Sequence, residues 1–256
     1  MNNLEKDLQK MEELHQKQID IHFDEFLRMH LTNKTILIRH IEAFYRYSSY
    51  LQEGNVLDWG CRHAFDACLI KNHFGDSVKI SGCDIEKGDF DVFFDYAGLD
   101  FSLLKSPYKL PYSGEQFDFV ISSGVLEHVP NDLESIKEIY RILRPGGKFI
   151  ITFLPNHYSY TEFLSSILKR AHHNRLYKRK QIKNMLLHSG FFILYAGYHQ
   201  VMPALAGKES ALIGRIKILN SIFKFIYKFN RIFEKIWPIY KFAANIIIVA
   251  EKRRSL

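Results

Sequence analysis

An α/β fold built on a doubly wound, mostly parallel sheet is predicted for this chain by three observations. Short runs rich in β-branched and aromatic residues, at 54–59, 78–85, 117–124 and 148–154, alternate with stretches of helical apolar period. Carboxylates stand at the ends of the first two runs, Asp58 and Asp84, and Gly60 follows the first, as a sharp strand-to-helix turn requires. Finally, 256 residues with 47% apolar content can bury such a core as one domain spanning 1–256.

Residues 1–31 are polar and charged, with Leu4, Leu8, Met11, Leu14, Phe23, Phe26 and Leu27 at helical spacing. They are expected to form one or two helices lying outside the core. A further helix over 34–50 leads to Gly54; its Arg39, His40, Tyr45 and Arg46 could face a ligand, but a solvated helix face is preferred for them. In the first strand Val56, Leu57 and Trp59 suit a central position, and a helix follows over about 63–74. After the second strand, 89–95 reads as a short third one, with Phe90, Val92, Phe93 and Phe94 as its apolar body and Asp95 just past its end. The fourth strand, 117–124, precedes Asn131 and Asp132, which can cap a helix that Arg144-Pro145-Gly146-Gly147 stops near 143. The fifth strand covers 148–154, a helix 178–189, and two last strands 191–198 and 245–251.

Charge divides the chain. Residues 1–150 hold 17 Lys and Arg against 24 Asp and Glu, net −7, and residues 151–256 hold 18 against 4, net +14. An anionic partner met by the second half is implied: a membrane surface, a phosphorylated acceptor or nucleic acid. Cys61, Cys68 and Cys83 show neither CxxC nor His-ligand spacing, so a reducing cytoplasm and no metal are expected. No window has the roughly 18 uninterrupted apolar residues of a membrane span, and the charged start does not read as a signal peptide.

Asp84 lies 26 positions after Asp58. That is near the roughly 20-residue interval at which α/β nucleotide sites place the acid that accepts both hydroxyls of a ribose. Together with it, Val56-Leu57-Asp58-Trp59-Gly60-Cys61, Gly82-Cys83-Asp84, Leu110-Pro111-Tyr112 before Phe117-Asp118, Gly124-Val125-Leu126-Glu127-His128-Val129 and Leu143-Arg144-Pro145-Gly146-Gly147 resemble the class I S-adenosylmethionine-dependent methyltransferases. The likeness is greatest to the subfamily acting on small molecules, lipids and sugars. It implies a Rossmann-like sheet of seven strands, the last antiparallel, with a helical amino-terminal extension.

It also implies roles. Gly60 would form the turn against the methionine part of S-adenosylmethionine, held by Asp58; Asp84 would take the ribose, Asp95 the adenine amino group, and backbone groups of Ser122 and Ser123 the methionine end. His128 would stand at the mouth as the base for a hydroxyl acceptor, with His157, after the fifth strand, as the second candidate. A rival alignment gives the adenine role to Ser106. Where the family has glycines, this chain has Arg62 and Ala64. Arg62 could pair with the methionine carboxylate, or the two changes could mark a binding module that has lost the cofactor; the enzyme reading is preferred.

The acceptor has to be read from the second half. Residues 169–183 carry Lys169, Arg170, Arg175, Lys178, Arg179, Lys180 and Lys183 with His172 and His173 and no acid. Within the insertion 199–244, Lys217, Lys224, Lys228, Arg231 and Lys235 fall on one helical stripe. Leu219, Ile222, Phe225, Ile226, Phe229, Ile232, Phe233 and Ile236 lie opposite. Such a segment, 211–241, suits an anionic membrane surface, although docking on the protein's own core gives the same periodicity. Nucleic acid is disfavoured because the aromatics do not interleave with the cations. The expectation is methyl transfer to an oxygen of a lipid-linked, glycan or other membrane-associated acceptor, at the inner face of the membrane.

Overall fold

Val56, Leu57, Asp58 and Trp59 are all buried, and the strand that holds them, β1 (Gly54–Trp59), has a parallel neighbour on each side. The structure is a computed structural model, and it describes residues 3–106, 109–167, 173, 175–201 and 230–253. Three helices come first, α1 (Asn3–Ile21), α2 (Glu25–Thr32) and α3 (Lys34–Tyr47), followed by β1, α4 (Phe65–Phe74) and β2 (Val78–Asp84). Next are α5 (Asp91–Ala97), β3 (Asp100–Leu103), β4 (Phe117–Ser123), α6 (Asp132–Ile142) and β5 (Leu143–Pro155). The chain ends with α7 (Tyr160–Ile167), α8 (Arg179–His188), β6 (Phe191–His199), a helical turn at Asn230–Phe233 and β7 (Asn245–Lys252).

The seven strands form one sheet in the order β3-β2-β1-β4-β5-β7-β6. β1 to β5 run parallel, and β7 is antiparallel to both β5 and β6. Alternate side chains of the central strands feed two separate cores. Val56, Ile80, Phe119, Ile121 and Ile150 pack with the helices of one face, and Leu57, Trp59, Val120, Phe149 and Ile151 with those of the other. The strand order reverses between β1 and β4, which opens a crevice above their carboxyl ends.

Two expectations need correction. Residues 89–95 do not form a strand: Phe90, Phe93, Phe94 and Ala97 are buried at helical spacing, and the segment becomes α5, closed by Gly98 in the left-handed conformation. The third strand lies after it and pairs Ser81 to Asp84 of β2 with Asp100 to Leu103. Nor do the amino-terminal helices lie outside the core. Met11, Leu14 and Leu27 are buried in the same cluster as α4 and α5. Gln18 fixes α1 to the start of α5, donating to the Asp89 carbonyl at 2.7 Å and accepting from the Val92 amide at 3.0 Å.

The expected solvated face of α3 is likewise engaged. Tyr45 donates to Asp7 of α1, and Arg46 to Glu234. Glu234 also accepts from the Gln200 amide at 2.7 Å and lies 3.3 Å from His199, so this part of the insertion is moored to the core by a buried carboxylate. Of the expected amphipathic helix 211–241, Lys217, Lys224 and Lys228 lie outside the described residues. So do Lys169, Arg170 and His172 of the basic run. In the described part of that run Arg175 is used internally, donating to the Val129 carbonyl at 2.6 Å, while Arg179 lies over the Tyr198 ring. No helix among the described residues is long and apolar enough to cross a membrane.

Asp7 is the polar anchor of α1. Its buried carboxylate takes hydrogen bonds from Tyr45, Asn72 and His73. Burial alone would raise its pKa, but the bonds from His73, Tyr45 and Asn72 hold the carboxyl below its usual range. Because the folded-state pKa is depressed, this stabilisation is present above the ordinary carboxylate pKa and is lost as pH falls through the folded value. Asp7→Ala should cost roughly 2–4 kcal/mol at neutral pH in urea denaturation. It should also flatten the acid limb of the stability profile; an unchanged acid limb would show that α1 is not held this way.

Candidate functional site

The crevice between β1 and β4 holds a cavity of about 670 Å³. Its floor is the turn after β1. Gly60 and Cys61 both donate their amides to the Cys83 carbonyl, at 2.7 and 3.2 Å, so the chain leaves β1 across the end of β2. Gly60 sits at φ +72°, and a Cβ there would overlap Val125. Arg62 at φ 43° and Ala64 at φ 56° keep the left-handed backbone without glycine. The conformation is fixed by hydrogen bonds: Arg62 donates its amide to Asp84 Oδ2 at 2.9 Å, and Ala64 its amide to the Cys61 carbonyl at 2.6 Å.

Asp84 Oδ1 accepts in turn from the Ile85 amide at 2.7 Å, so the carboxylate is oriented through both oxygens and keeps acceptor capacity toward the cavity it lines. That is what a vicinal diol needs. Beneath the turn two buried carboxyls share a wall of the cavity, Asp58 from β1 and Asp66 from the first turn of α4. Burial, with the neighbouring Asp66 charge, pushes Asp58 well above the carboxylate range. Burial also raises Asp66, against hydrogen bonds from Tyr47, at 2.6 Å, and Ser123. An acidic pair kept from ionising fully by its surroundings favours a cationic ligand.

At the mouth stands a second group. Glu127 is buried, its carboxyl pushed up to about 7 by desolvation, and Oε2 has no hydrogen-bond partner. Its Oε1 lies 3.8 Å from His128 Nε2. Burial and the adjacent His173 hold His128 below the ordinary imidazole range. His173 Nδ1 is 2.8 Å from Glu162, whose hydrogen bond raises the His173 pKa.

Of the residues expected in the site, Asp58, Gly60, Arg62, Asp84, Ser123 and His128 line the cavity. Three do not. Asp95 is exposed on α5, because the strand that was to carry it is a helix. His157 is exposed on the loop after β5 beside Tyr158. Ser122 is buried in β4 on the opposite side of the strand from Ser123, outside the cavity lining. Ser106, the rival for the adenine role, lies outside the lining as well, whereas Ile85, Glu86 and Leu104 are part of it. Phe26, His63 and Asp66 have no site role in the sequence reading, and His40, for which a solvated face is preferred there, lines the cavity too. The helical period that pairs Phe23 with Phe26 and Leu27 was the only signal for Phe26.

Residues 57–151 match the family model described as a methyltransferase domain. Those residues carry a methyltransferase domain, and the chain shares the fold of the class I S-adenosylmethionine-dependent methyltransferases. A demethylmenaquinone methyltransferase of Oceanobacillus iheyensis is 29% identical over 32% of this chain and 44% of its own length. A probable S-adenosylmethionine-dependent methyltransferase of Mycolicibacterium smegmatis is 25% identical over 60% of this chain and 58% of its own. The chain thus spans less than two thirds of either curated relative. A solved S-adenosylmethionine-dependent methyltransferase of Thermotoga maritima, described as a possible histamine N-methyltransferase, superposes with a TM-score of 0.61 at 16% identity. That superposition covers 93% of this chain and 99% of the other, and it shows the shared fold.

The turn therefore holds Arg62 and Ala64 in the left-handed backbone that glycine adopts most readily. Ala64→Gly should keep or raise stability by up to about 1–2 kcal/mol, since a left-handed non-glycine residue is strained by that amount. Gly60→Ala should lower stability and abolish S-adenosylmethionine binding. Urea denaturation and calorimetry read both, and a Gly60→Ala protein with wild-type affinity would show that the turn does not shape the site.

Proposed function

We propose that this chain transfers a methyl group from S-adenosylmethionine to an oxygen of a lipid-linked, glycan or other membrane-associated small molecule. The observation that carries the methyl-transfer reading is the convergence of Asp58, Asp66, the Gly60 turn and Asp84 on one cavity that has His128 at its mouth. The donor set fits the cofactor: acids for its cationic end, an oriented carboxylate for its ribose, and apolar Ile85 and Leu104 toward the adenine end. When bound, S-adenosylmethionine supplies a methyl group on a good leaving group.

What remains for the protein is to position an acceptor, exclude water and take one proton. His128, held mostly neutral by its lowered pKa, accepts the proton of an acceptor hydroxyl. Glu127, near its own titration point and 3.8 Å away, stabilises the imidazolium that results. Arg62 is held aside, its guanidinium 4.1 Å from the centre of the Phe26 ring, so the rim is walled by a cation and an aromatic ring.

Phe163, Leu164 and Ile167 of α7 are exposed, as are Ile232, Ile236, Trp237 and Phe242. The second half of the chain is strongly basic, and demethylmenaquinone methyltransferases stand among the relatives. These features favour an apolar acceptor presented at an anionic surface.

Because a cation favours ionised Asp58 and Asp66, S-adenosylmethionine should release a proton on binding, and its affinity should rise with pH until the raised free-state pKa is passed. Calorimetry in buffers of different ionisation heat measures this; no binding at millimolar concentration would leave a fold without its cofactor. His128→Gln should lower turnover about 10²–10⁴-fold and remove the limb of the pH profile near the depressed imidazole pKa, with cofactor affinity unchanged. Unchanged turnover would make His128 a wall residue. With radiolabelled cofactor and a membrane-lipid extract, the label should partition into the organic phase; label found only in water-soluble product would exclude a lipid acceptor.

A further inference from the structure

Beside the cavity, away from the proton-accepting group, three histidines from separate elements meet in the protein interior: His15 of α1, His30 of α2 and His63 of the cofactor turn. We propose that they bind a divalent late transition ion, zinc foremost, which ties the two amino-terminal helices to the turn.

Their ring centroids are 5.4, 5.8 and 6.0 Å apart, a nearly equilateral arrangement. One ligand atom from each ring lies within 4.8 Å of the other two. His15 Nε2 and His30 Nδ1 are already 3.2 Å apart. Tetrahedral zinc with nitrogen ligands at about 2.0–2.1 Å has an N···N edge of about 3.3 Å. His15 Nδ1 lies 2.7 Å from the Met11 carbonyl. A carbonyl can only accept, so this bond places the proton on Nδ1 and leaves Nε2 with its lone pair toward His30. Ligating histidines are commonly oriented in this way.

His63 supplies the independent observation. It is 6% exposed, and neither ring nitrogen has a hydrogen-bond partner. Leaving buried polar atoms unpaired is costly. Phe65, Phe90 and Phe93 already surround the ring at centroid distances of 5.6 to 5.9 Å. If packing were its whole purpose, another phenylalanine would serve better. Nothing polar holds the ring, so a side-chain adjustment brings it onto the His15–His30 edge.

Three neutral imidazoles suit zinc, copper, iron or nickel and not magnesium or calcium. No carboxylate belongs to the cluster, and Arg39 and Arg62 lower the His30 pKa electrostatically, so cationic charge is close by. A divalent ion here therefore needs an anionic or water ligand in its remaining position. His63 also lines the cavity, which gives that position access to solvent.

The test uses the full, tag-free chain, stripped with chelator and titrated with Co²⁺ and then Zn²⁺ without S-adenosylmethionine, so that its outcome is independent of methyl transfer. Intense visible d–d bands of tetrahedral cobalt should saturate at one ion per chain and be bleached by zinc. X-ray absorption should show imidazole nitrogen ligands. His30→Phe, which preserves aromatic packing, should lose the bands and weaken zinc by at least about a hundredfold, the upper end of what removing a ligand's own hydrogen-bond partner costs. His22→Gln, an exposed position outside the cluster, should behave as wild type. Failure of the wild-type chain to retain zinc or develop the bands overturns the proposal, as does undiminished binding by folded His30→Phe. Should that variant not fold, the wild-type titration with its absorption spectrum decides alone.

Discussion

Two acceptors at the end of β2 organise this protein: the Cys83 carbonyl, which takes the Gly60 and Cys61 amides, and the Asp84 carboxylate, which takes the Arg62 and Ile85 amides. Together they fold the chain leaving β1 back across β2 and set the floor of the cavity. The arrangement depends on the parallel register that brings Trp59 opposite Cys83, so a one-residue slip would turn every site side chain to the other face. With the turn fixed, Asp66 enters at the first turn of α4, beside Asp58, and the buried acids acquire their common wall. One hydrogen-bonding pattern thus orients the Asp84 carboxylate, shapes the backbone and positions the acidic pair.

The same pattern explains how the turn tolerates Arg62 and Ala64. Their backbones are left-handed because their amides are claimed by fixed acceptors, and the expected strain of about 1–2 kcal/mol per residue is comparable to the hydrogen bonds that impose it. At Arg62 the guanidinium stacks on the Phe26 ring, and both residues line the cavity beside the turn. The loss of two glycines from the sequence therefore does not carry over into a lost shape.

The sheet and most of the site were legible because they depend on local signals: apolar runs bounded by glycine, and an acid at the end of each of the first two strands. Asp58, Gly60, Asp84, Ser123 and His128 are placed by the strands that hold them, and the structure puts all five on the cavity. Asp95 failed for a local reason too. Phe90, Phe93, Phe94 and Ala97 satisfy a 3.6-residue period that a short apolar run conceals, and the polar Asp100–Leu103 strand has only a parallel edge pairing to define it. Ser122 lies one residue from the cavity-lining Ser123, and its side chain falls on the other side of the strand, while His157 is exposed on the loop after β5. Phe26 and His63 were hidden for another reason, since their contribution arises from packing between elements distant in sequence.

The amino-terminal helices show what that packing does. A helix pair lying outside the core would need no buried polar contact to it, yet Asp7 bonds Asn72 and His73 of α4, Gln18 bonds the start of α5, and Phe26 reaches the rim of the cavity. Buried polar contacts specify one geometry, because a shifted helix would leave each of them unsatisfied. The helices are therefore registered to the cofactor turn rather than merely adhering to it, and Phe26 and His40 are presented to the cavity at fixed positions. The third wall of the site is set by contacts lying almost entirely on α4 and α5, the two helices that also follow β1 and β2. Any displacement of the turn is thus transmitted to α1 and α2 through the elements that it begins, which makes the amino-terminal segment part of the site and not an appendage to it.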